Sequence, residues 1–239
     1  MPLSLSRDNL RGYLKKKVEL PPDNLMTVAF RMLKGDQKIW DIGANIGTLA
    51  IATATLSNDL TVFAIEADAK LESLIAKVSR FNQDQRPNIH ALPFAISRDN
   101  RPPSRTSSDC PGTPHTSETL ETPSGNSKIN QPRNASELTL DQLVDIIGPP
   151  GFINLTLEGS ELIALQGATQ ILTSHKPAIY LDCSSHSYPE CLELLKNQGY
   201  KITTYSIGNT PDPDYCALFV HSEDEIHLSR LQNMRANFS

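Results

Sequence analysis

The chain has 239 residues, with 22 Lys and Arg against 27 Asp and Glu, a formal charge of −5. That length supports one substantial core. The acidic balance argues against nucleic-acid binding, which relies on clustered Lys and Arg to neutralise phosphates. Only 38% of the residues are hydrophobic, so a polar segment dilutes an otherwise ordinary core.

In chain order, the opening stretch MPLSLSRDNLRGYLKKK has no hydrophobic h-region, which predicts no secretory signal. No segment approaches the ~20 apolar residues of a membrane helix, so no membrane insertion is expected. The basic group Arg11, Lys15, Lys16 and Lys17 reads as a solvated helix face, and residues 1–35 as an N-terminal helical cap outside the core. Residues 38–42 read as a strand, 47–57 as a helix of small residues, and 61–66, β-branched and aromatic, as a buried strand. Leu71, Leu74, Ile75, Val78 and Phe81 form the stripe of an amphipathic helix. Residues 88–96 read as a third strand.

Residues 98–137 are dominated by Ser, Thr, Pro, Asn and charge, and cannot bury enough surface to offset the entropy of ordering them. They read as a low-complexity, disordered insertion. Regularity resumes with a helix at 140–147, a strand at 152–157, a helix at 160–173 and a buried strand at 178–182. A helix ending at Gly199 and strands at 200–206 and 215–221 complete the pattern. Strands alternating with helices predict a doubly wound α/β sheet with helices on both faces, in a single domain over 1–239. The last two strands are too close for a helical crossover, so they form an antiparallel hairpin.

The cysteines, Cys110, Cys183, Cys191 and Cys216, form no C-x-x-C and have no His pair beside them. Reduced thiols and a cytoplasmic location follow as the expectation. The Asn-x-Ser/Thr triplets at Asn134 and Asn154 then have no bearing on glycosylation.

Chemistry concentrates where the first strand meets the first helix, in Trp40-Asp41-Ile42-Gly43-Ala44-Asn45-Ile46-Gly47. An open parallel sheet places its ligand crevice at such a point. Gly43 permits a tight turn, Gly47 a close backbone approach, and the following helix offers free N–H groups. Asn45 stands where the dinucleotide fingerprint needs glycine, and no P-loop is present. The loop therefore suits a nucleoside-like ligand rather than a diphosphate, and a nicotinamide-dependent oxidoreductase is disfavoured. Glu66, at the end of the second strand, is placed to accept hydrogen bonds from ribose hydroxyls. His90 and His175 read as structural.

The segment Asp41–Gly47 resembles the D-[VI]-G-A-N-x-G signature of FkbM-type S-adenosylmethionine-dependent methyltransferases. The resemblance continues through Phe63-Ala64-Ile65-Glu66-Ala67, Ala95-Ile96-Ser97, Thr139-Leu140-Asp141-Gln142-Leu143, Leu157-Glu158-Gly159-Ser160-Glu161, Gln166-Gly167-Ala168 and the run from Lys176 to Asp182. It implies a Rossmann-like class I methyltransferase fold of seven strands ordered 3-2-1-4-5-7-6. It implies S-adenosylmethionine as cofactor, its methionine and ribose end wrapped by Asp41, Gly43, Ala44, Asn45 and Gly47. Glu66 would hold the ribose, and the Ala95–Ser97 turn, through Ala95 and Ile96, would border the adenine. The implied acceptor is a hydroxyl on a small or glycosylated molecule.

Departures from the family pattern fall at the chemistry. Where the family's strand ends K-I-D-V-E-G, this chain has Asn154 for the Lys and Thr156 for the Asp. Related metal-dependent enzymes place an acid at the Thr156 position and an Asp-Asn pair after the fifth strand. Here Asp182 is followed by Cys183, and one carboxylate is a poor start for a hard cation, so no catalytic metal is expected. Thr156, Glu158, Asp182 and His186 are the candidate catalytic residues, with Glu161 a further possible base, since an alcohol must lose its proton near the transition state. Glu158 could equally stabilise the adjacent helix N-terminus. The alternative is a degenerate homologue that serves as a cofactor-binding or protein-interaction module.

Overall fold

The computed structural model describes residues 33, 37–54, 59–81, 88–99, 135–207, 214–225 and 228–229. The expected N-terminal cap (residues 1–35), its basic group, Cys110, Asn134 and most of the insertion lie outside them.

The chain enters β1 (Lys38–Ile42), passes through the short helix α1 (Thr48–Ala54) to β2 (Thr61–Ile65), and through α2 (Ala69–Phe81) to β3 (Ile89–Leu92). Within the α2 stripe Ile75 is fully buried, whereas Leu74 is 42% exposed. Pro93 has no N–H to give to a ladder, so the strand expected over 88–96 breaks there and resumes as β4 (Phe94–Ile96). Next come β5 (Ser136–Leu138), α3 (Leu140–Ile147), β6 (Phe152–Leu155) and α4 (Glu161–Gln166). A π-helical turn (Ile171–His175), β7 (Ala178–Ser184), α5 (Tyr188–Asn197), β8 (Tyr200–Ile207) and β9 (Asp214–His221) follow.

The main sheet has the order β3-β2-β1-β6-β7-β9-β8. Numbering only its own members in chain order gives 3-2-1-4-5-7-6, the order the resemblance implies. The strands from β3 to β7 pair in parallel, while β9 runs antiparallel to both β7 and β8. Alternate residues feed two cores. Trp40, Ile42, Ile153, Leu155, Ile179 and Leu181 pack on one face with Leu143, Leu165 and Leu195 of α3, α4 and α5. Ile39, Val62, Ala64, Phe152 and Tyr180 pack on the other with Ala50 and Ile75 of α1 and α2.

The family-like segment Thr139–Leu143 owes its residues to packing. Thr139 caps α3, its hydroxyl accepting from the Gln142 N–H while the Gln142 side chain accepts from the Thr139 N–H. Leu140 and Leu143 are buried. The Asp141 carboxylate accepts the N–H groups of Gln170 and Ile171, each at 2.9 Å, and so ties α3 to the start of the π-helical turn. The helix expected over 160–173 is interrupted at Gly167, where a Cβ would lie 2.6 Å from the Ser97 carbonyl oxygen.

Strands β4 and β5 form a separate parallel pair, Ala95 opposite Glu137, and the Ser97 N–H bonds the Leu138 carbonyl at 2.9 Å. The expected insertion is thus shorter than 98–137, because Ser136–Leu138 is strand. Its two ends are held side by side by backbone hydrogen bonds. We propose that the core folds without residues 100–134. Replacing them with about six Gly and Ser residues lowers the loop-closure entropy by about 1–2 kcal/mol. The expected result is a variant that melts no lower than the full chain by calorimetry; a truncated protein that fails to fold would place this segment in the core.

Candidate active site

The glycine loop leaves β1 at the carboxyl edge of the sheet, between β2 and β6. Gly43 (φ +78°), Asn45 (φ +53°) and Gly47 (φ +79°) all adopt left-handed backbone conformations. Gly43 and Ala44 donate their N–H groups to the Ile65 carbonyl at 3.0 and 3.1 Å, folding the loop over the end of β2. Each glycine is required by a contact within the protein. A Cβ on Gly43 would lie 1.9 Å from the Thr156 carbonyl oxygen, and one on Gly47 would lie 2.9 Å from Ile75 Cγ1.

Glu66 sits just past β2 and is half-buried. Its Oε2 accepts the Asn45 N–H and its Oε1 the Asp68 N–H, both at 2.8 Å. The residue expected to hold a ribose therefore also fixes the loop expected to wrap the same ligand. Each carboxylate oxygen keeps acceptor capacity beyond the one N–H it takes.

Beneath the loop, Asp41 is 1% exposed. It lies opposite Asn154 in the β1–β6 register, and the Asn154 Nδ2 donates to its Oδ1 at 2.7 Å. The Asn154 Oδ1 in turn accepts from the Thr156 hydroxyl at 3.4 Å. Asp41 Oδ2 is buried without a hydrogen-bond partner. Burial pushes the Asp41 carboxyl up to about 6, the Asn154 amide and the Ala50 backbone N–H opposing that rise and the Glu66 charge adding to it. Nothing in the sequence pattern pointed to this bond, since Asp41 and Asn154 stand 113 positions apart.

Thr156 and Asp182 each lie one residue past the paired positions Leu155 and Leu181, at the same edge of adjacent strands. Alternation from Phe152 and Tyr180 puts both on the α1 face with Asp41. Asp182 is half-buried, and its backbone pairs with Cys216 of β9. Glu158 is exposed and holds a left-handed conformation (φ +50°), followed by Gly159 at φ +109°, where an added Cβ would meet no atom within 4 Å. His186 is exposed in the turn before α5. Glu161 differs from these. It is completely buried, its Oε1 accepting from the Leu157 and Gly159 N–H groups at 2.8 and 3.1 Å and its Oε2 from the Gly159 N–H at 3.1 Å. It holds the loop that carries Glu158, both of its carboxylate oxygens being engaged by backbone N–H groups.

Ala95 and Ile96 lie in strand β4, opposite Glu137 and Leu138, rather than in a turn, and Ile96 packs partly against the α3–α4 core. Cys183 and Cys191 are buried free thiols, the Cys183 thiol held high by its contact with Cys191 and by burial. His90 stacks on Phe63 at 5.1 Å and bonds Asn88. Among the described residues no group of three or more His, Cys, Asp or Glu side chains is arranged to hold a metal ion. None of the described helices is long and apolar enough to cross a membrane.

A family model described as the methyltransferase FkbM domain matches residues 41–202. A search of curated proteins finds no match. Among solved structures, the chain is similar to precorrin-6y C5,15-methyltransferase from Geobacter metallireducens GS-15, at 14% identity over 83% of this chain and 88% of that one, with a TM-score of 0.50. It is also similar to methyltransferase FkbM from Methylobacillus flagellatus KT (23% identity, 77% and 43% coverage, TM-score 0.49) and to aTrm5 in complex with tRNALeu (10% identity, 81% and 44% coverage, TM-score 0.50). The chain spans less than half the length of these last two. At such identities the two likenesses with a TM-score of 0.50 speak to the fold alone. The match over residues 41–202 takes in the glycine loop, Glu66, the capped helix α3 and the Glu158 turn, and by it the chain belongs to the FkbM methyltransferase family.

Proposed function

We propose that this chain transfers a methyl group from S-adenosylmethionine to a hydroxyl of a small or glycosylated molecule. The observation that carries the reading is the glycine loop locked to Glu66 through the Asn45 N–H, at the carboxyl edge of a sheet with the methyltransferase strand order. The donor set suits the cofactor. Glu66 offers free lone pairs for vicinal ribose hydroxyls, and Asp41 presents a buried carboxylate oxygen with no partner to a cationic ligand.

When bound, the cofactor supplies an electrophilic methyl on a sulfonium. The protein's share is positioning and electrostatics. Gly43, Ala44, Asn45 and Gly47 shape the wall for the methionine and ribose end, Glu66 orients the ribose, and Ala95 borders the adenine. On the acceptor side, Thr156 and Asp182 line the strand ends, and Glu158 stands beside the open space over Gly159, where it can take the proton from the attacking hydroxyl. His186 is the second group within the same rim. The formal charge of −5 supports a small acceptor over a polynucleotide.

Calorimetric titration with S-adenosylmethionine and S-adenosylhomocysteine tests the cofactor half. Micromolar binding is expected for the native chain, with at least a tenfold loss in Glu66→Ala, from both the ribose contact and the loosened Asn45. Native protein that binds neither compound would favour the degenerate, interaction-module reading. Methyl transfer to RNA but not to hydroxylated small molecules would overturn the acceptor class.

A further inference from the structure

The two departures from the family pattern at β6 are in contact. Asn154 and Thr156 stand two residues apart and so share one face of the strand end. Their side chains bond each other at 3.4 Å, and the far end of the Asn154 amide holds Asp41 Oδ1 at 2.7 Å. The backbone of Thr156 also abuts Gly43 and donates its N–H to the Ile42 carbonyl at 3.0 Å. One string of polar groups thus runs from the acceptor edge to the carboxylate under the glycine loop. We propose that Asn154 and Thr156 act together as a neutral bridge that positions the Asp41 carboxylate for cofactor binding, with Asn154 as the positioning residue. This rests on the glycine loop being the cofactor site.

Three features of the surroundings support the assignment. Asn154 is 3% exposed, so its amide has no water to bond in place of Asp41. With Oδ1 committed to Asn154, the carboxylate is fixed in one orientation and Oδ2 takes no side-chain hydrogen bond. No cation neutralises it among the described residues. The groups acting on Asp41 are the Asn154 amide on β6, the Ala50 backbone N–H of α1 and the Glu66 carboxylate past β2; Thr156 on β6 and Asp182 on β7 share its sheet face farther along, and α1 itself (TLAIATA) carries no charged side chain. The charge of Asp41 in this environment depends on hydrogen bonds, of which the Asn154 amide supplies the strongest.

The sign of the consequence follows. A cationic ligand is favoured by ionised Asp41, so affinity is full above the midpoint near 6 and declines below it. Removing the amide raises the midpoint, and placing a cation at residue 154 lowers it.

The test is a cycle of Asn154→Lys, Thr156→Asp and the double variant, with Asn154→Ser as the milder change. Two readouts are taken: the Asp41 titration in the ligand-free protein by carboxyl carbon NMR, and the Kd of S-adenosylmethionine, which carries the sulfonium charge, from pH 5 to 8. Asn154→Ser is expected to raise the Asp41 midpoint by about one unit, a tenfold change in its acid constant, and to move the decline in affinity upward by the same amount. Thr156→Asp alone is expected to raise the midpoint and weaken binding at pH 7 at least fivefold, while the double variant returns to within about twofold of the native chain. Additive effects, or an Asp41 midpoint unmoved by Asn154→Ser, would overturn the bridge. If the native chain binds no S-adenosylmethionine, the cofactor reading fails and this proposal with it. The NMR cycle alone would then show whether the three side chains are coupled.

Discussion

Replacing Gly43 with Ala is expected to remove cofactor binding and to cost about 3–5 kcal/mol of stability. Two independent terms act there. At φ +78° any side chain is strained, by about 1–2 kcal/mol. The added methyl would also lie 1.9 Å from the Thr156 carbonyl oxygen, which cannot rotate away as a side-chain tip could. Relief requires the loop to lift from the end of β6, breaking the paired N–H bonds to Ile65 that shape it. Gly159→Ala is the control, because it meets nothing within 4 Å and carries only the backbone strain. Urea unfolding of both variants, with S-adenosylhomocysteine titration of whichever folds, checks the difference. A Gly43→Ala protein within about 1 kcal/mol of the native chain, binding normally, would refute the close approach of the two strand ends.

Periodicity made the architecture legible because a two-faced buried sheet leaves continuous apolar strands and its covering helices leave stripes. It was blind to breaks made by single contacts. Pro93 splits a strand and Gly167 interrupts a helix for the sake of the Ser97 carbonyl, neither of which changes hydrophobic spacing. Strand β5 was hidden for a related reason. Ser-Glu-Leu has no strand signature of its own and is held by its pairing with β4. The site shows the same division. Gly43, Gly47 and Glu66 could be read because local chain geometry demands them. The Asp41–Asn154 bond could not, since only the parallel pairing of β1 with β6 brings those two residues together. Several motif residues that resemble family signatures prove to be clamps: Thr139 and Asp141 fasten α3, and Glu161 fastens the Glu158 turn.

Glu161→Ala is expected to destabilise the chain by about 3 kcal/mol, and Glu161→Gln by about half of that. The carboxylate accepts three backbone contacts while being 0% exposed, so its removal strands the Leu157 and Gly159 N–H groups beside the residues with the most demanding backbone on this rim. Glutamine keeps one carbonyl oxygen for two of those contacts. Its NH2 group, however, must face the Gly159 N–H, setting donor against donor. The functional consequence separates from the stability loss. The Glu161 carboxylate bonds Leu157 and Gly159, so S-adenosylhomocysteine affinity should change less than threefold in a folded Gln variant. Glu158, the proposed proton acceptor, is carried on the released turn, so kcat should fall by at least tenfold. A Gln variant with native kcat would show that neither Glu158 nor its held conformation serves the transfer. One that instead loses cofactor affinity would place the Leu157–Gly159 turn in the cofactor site.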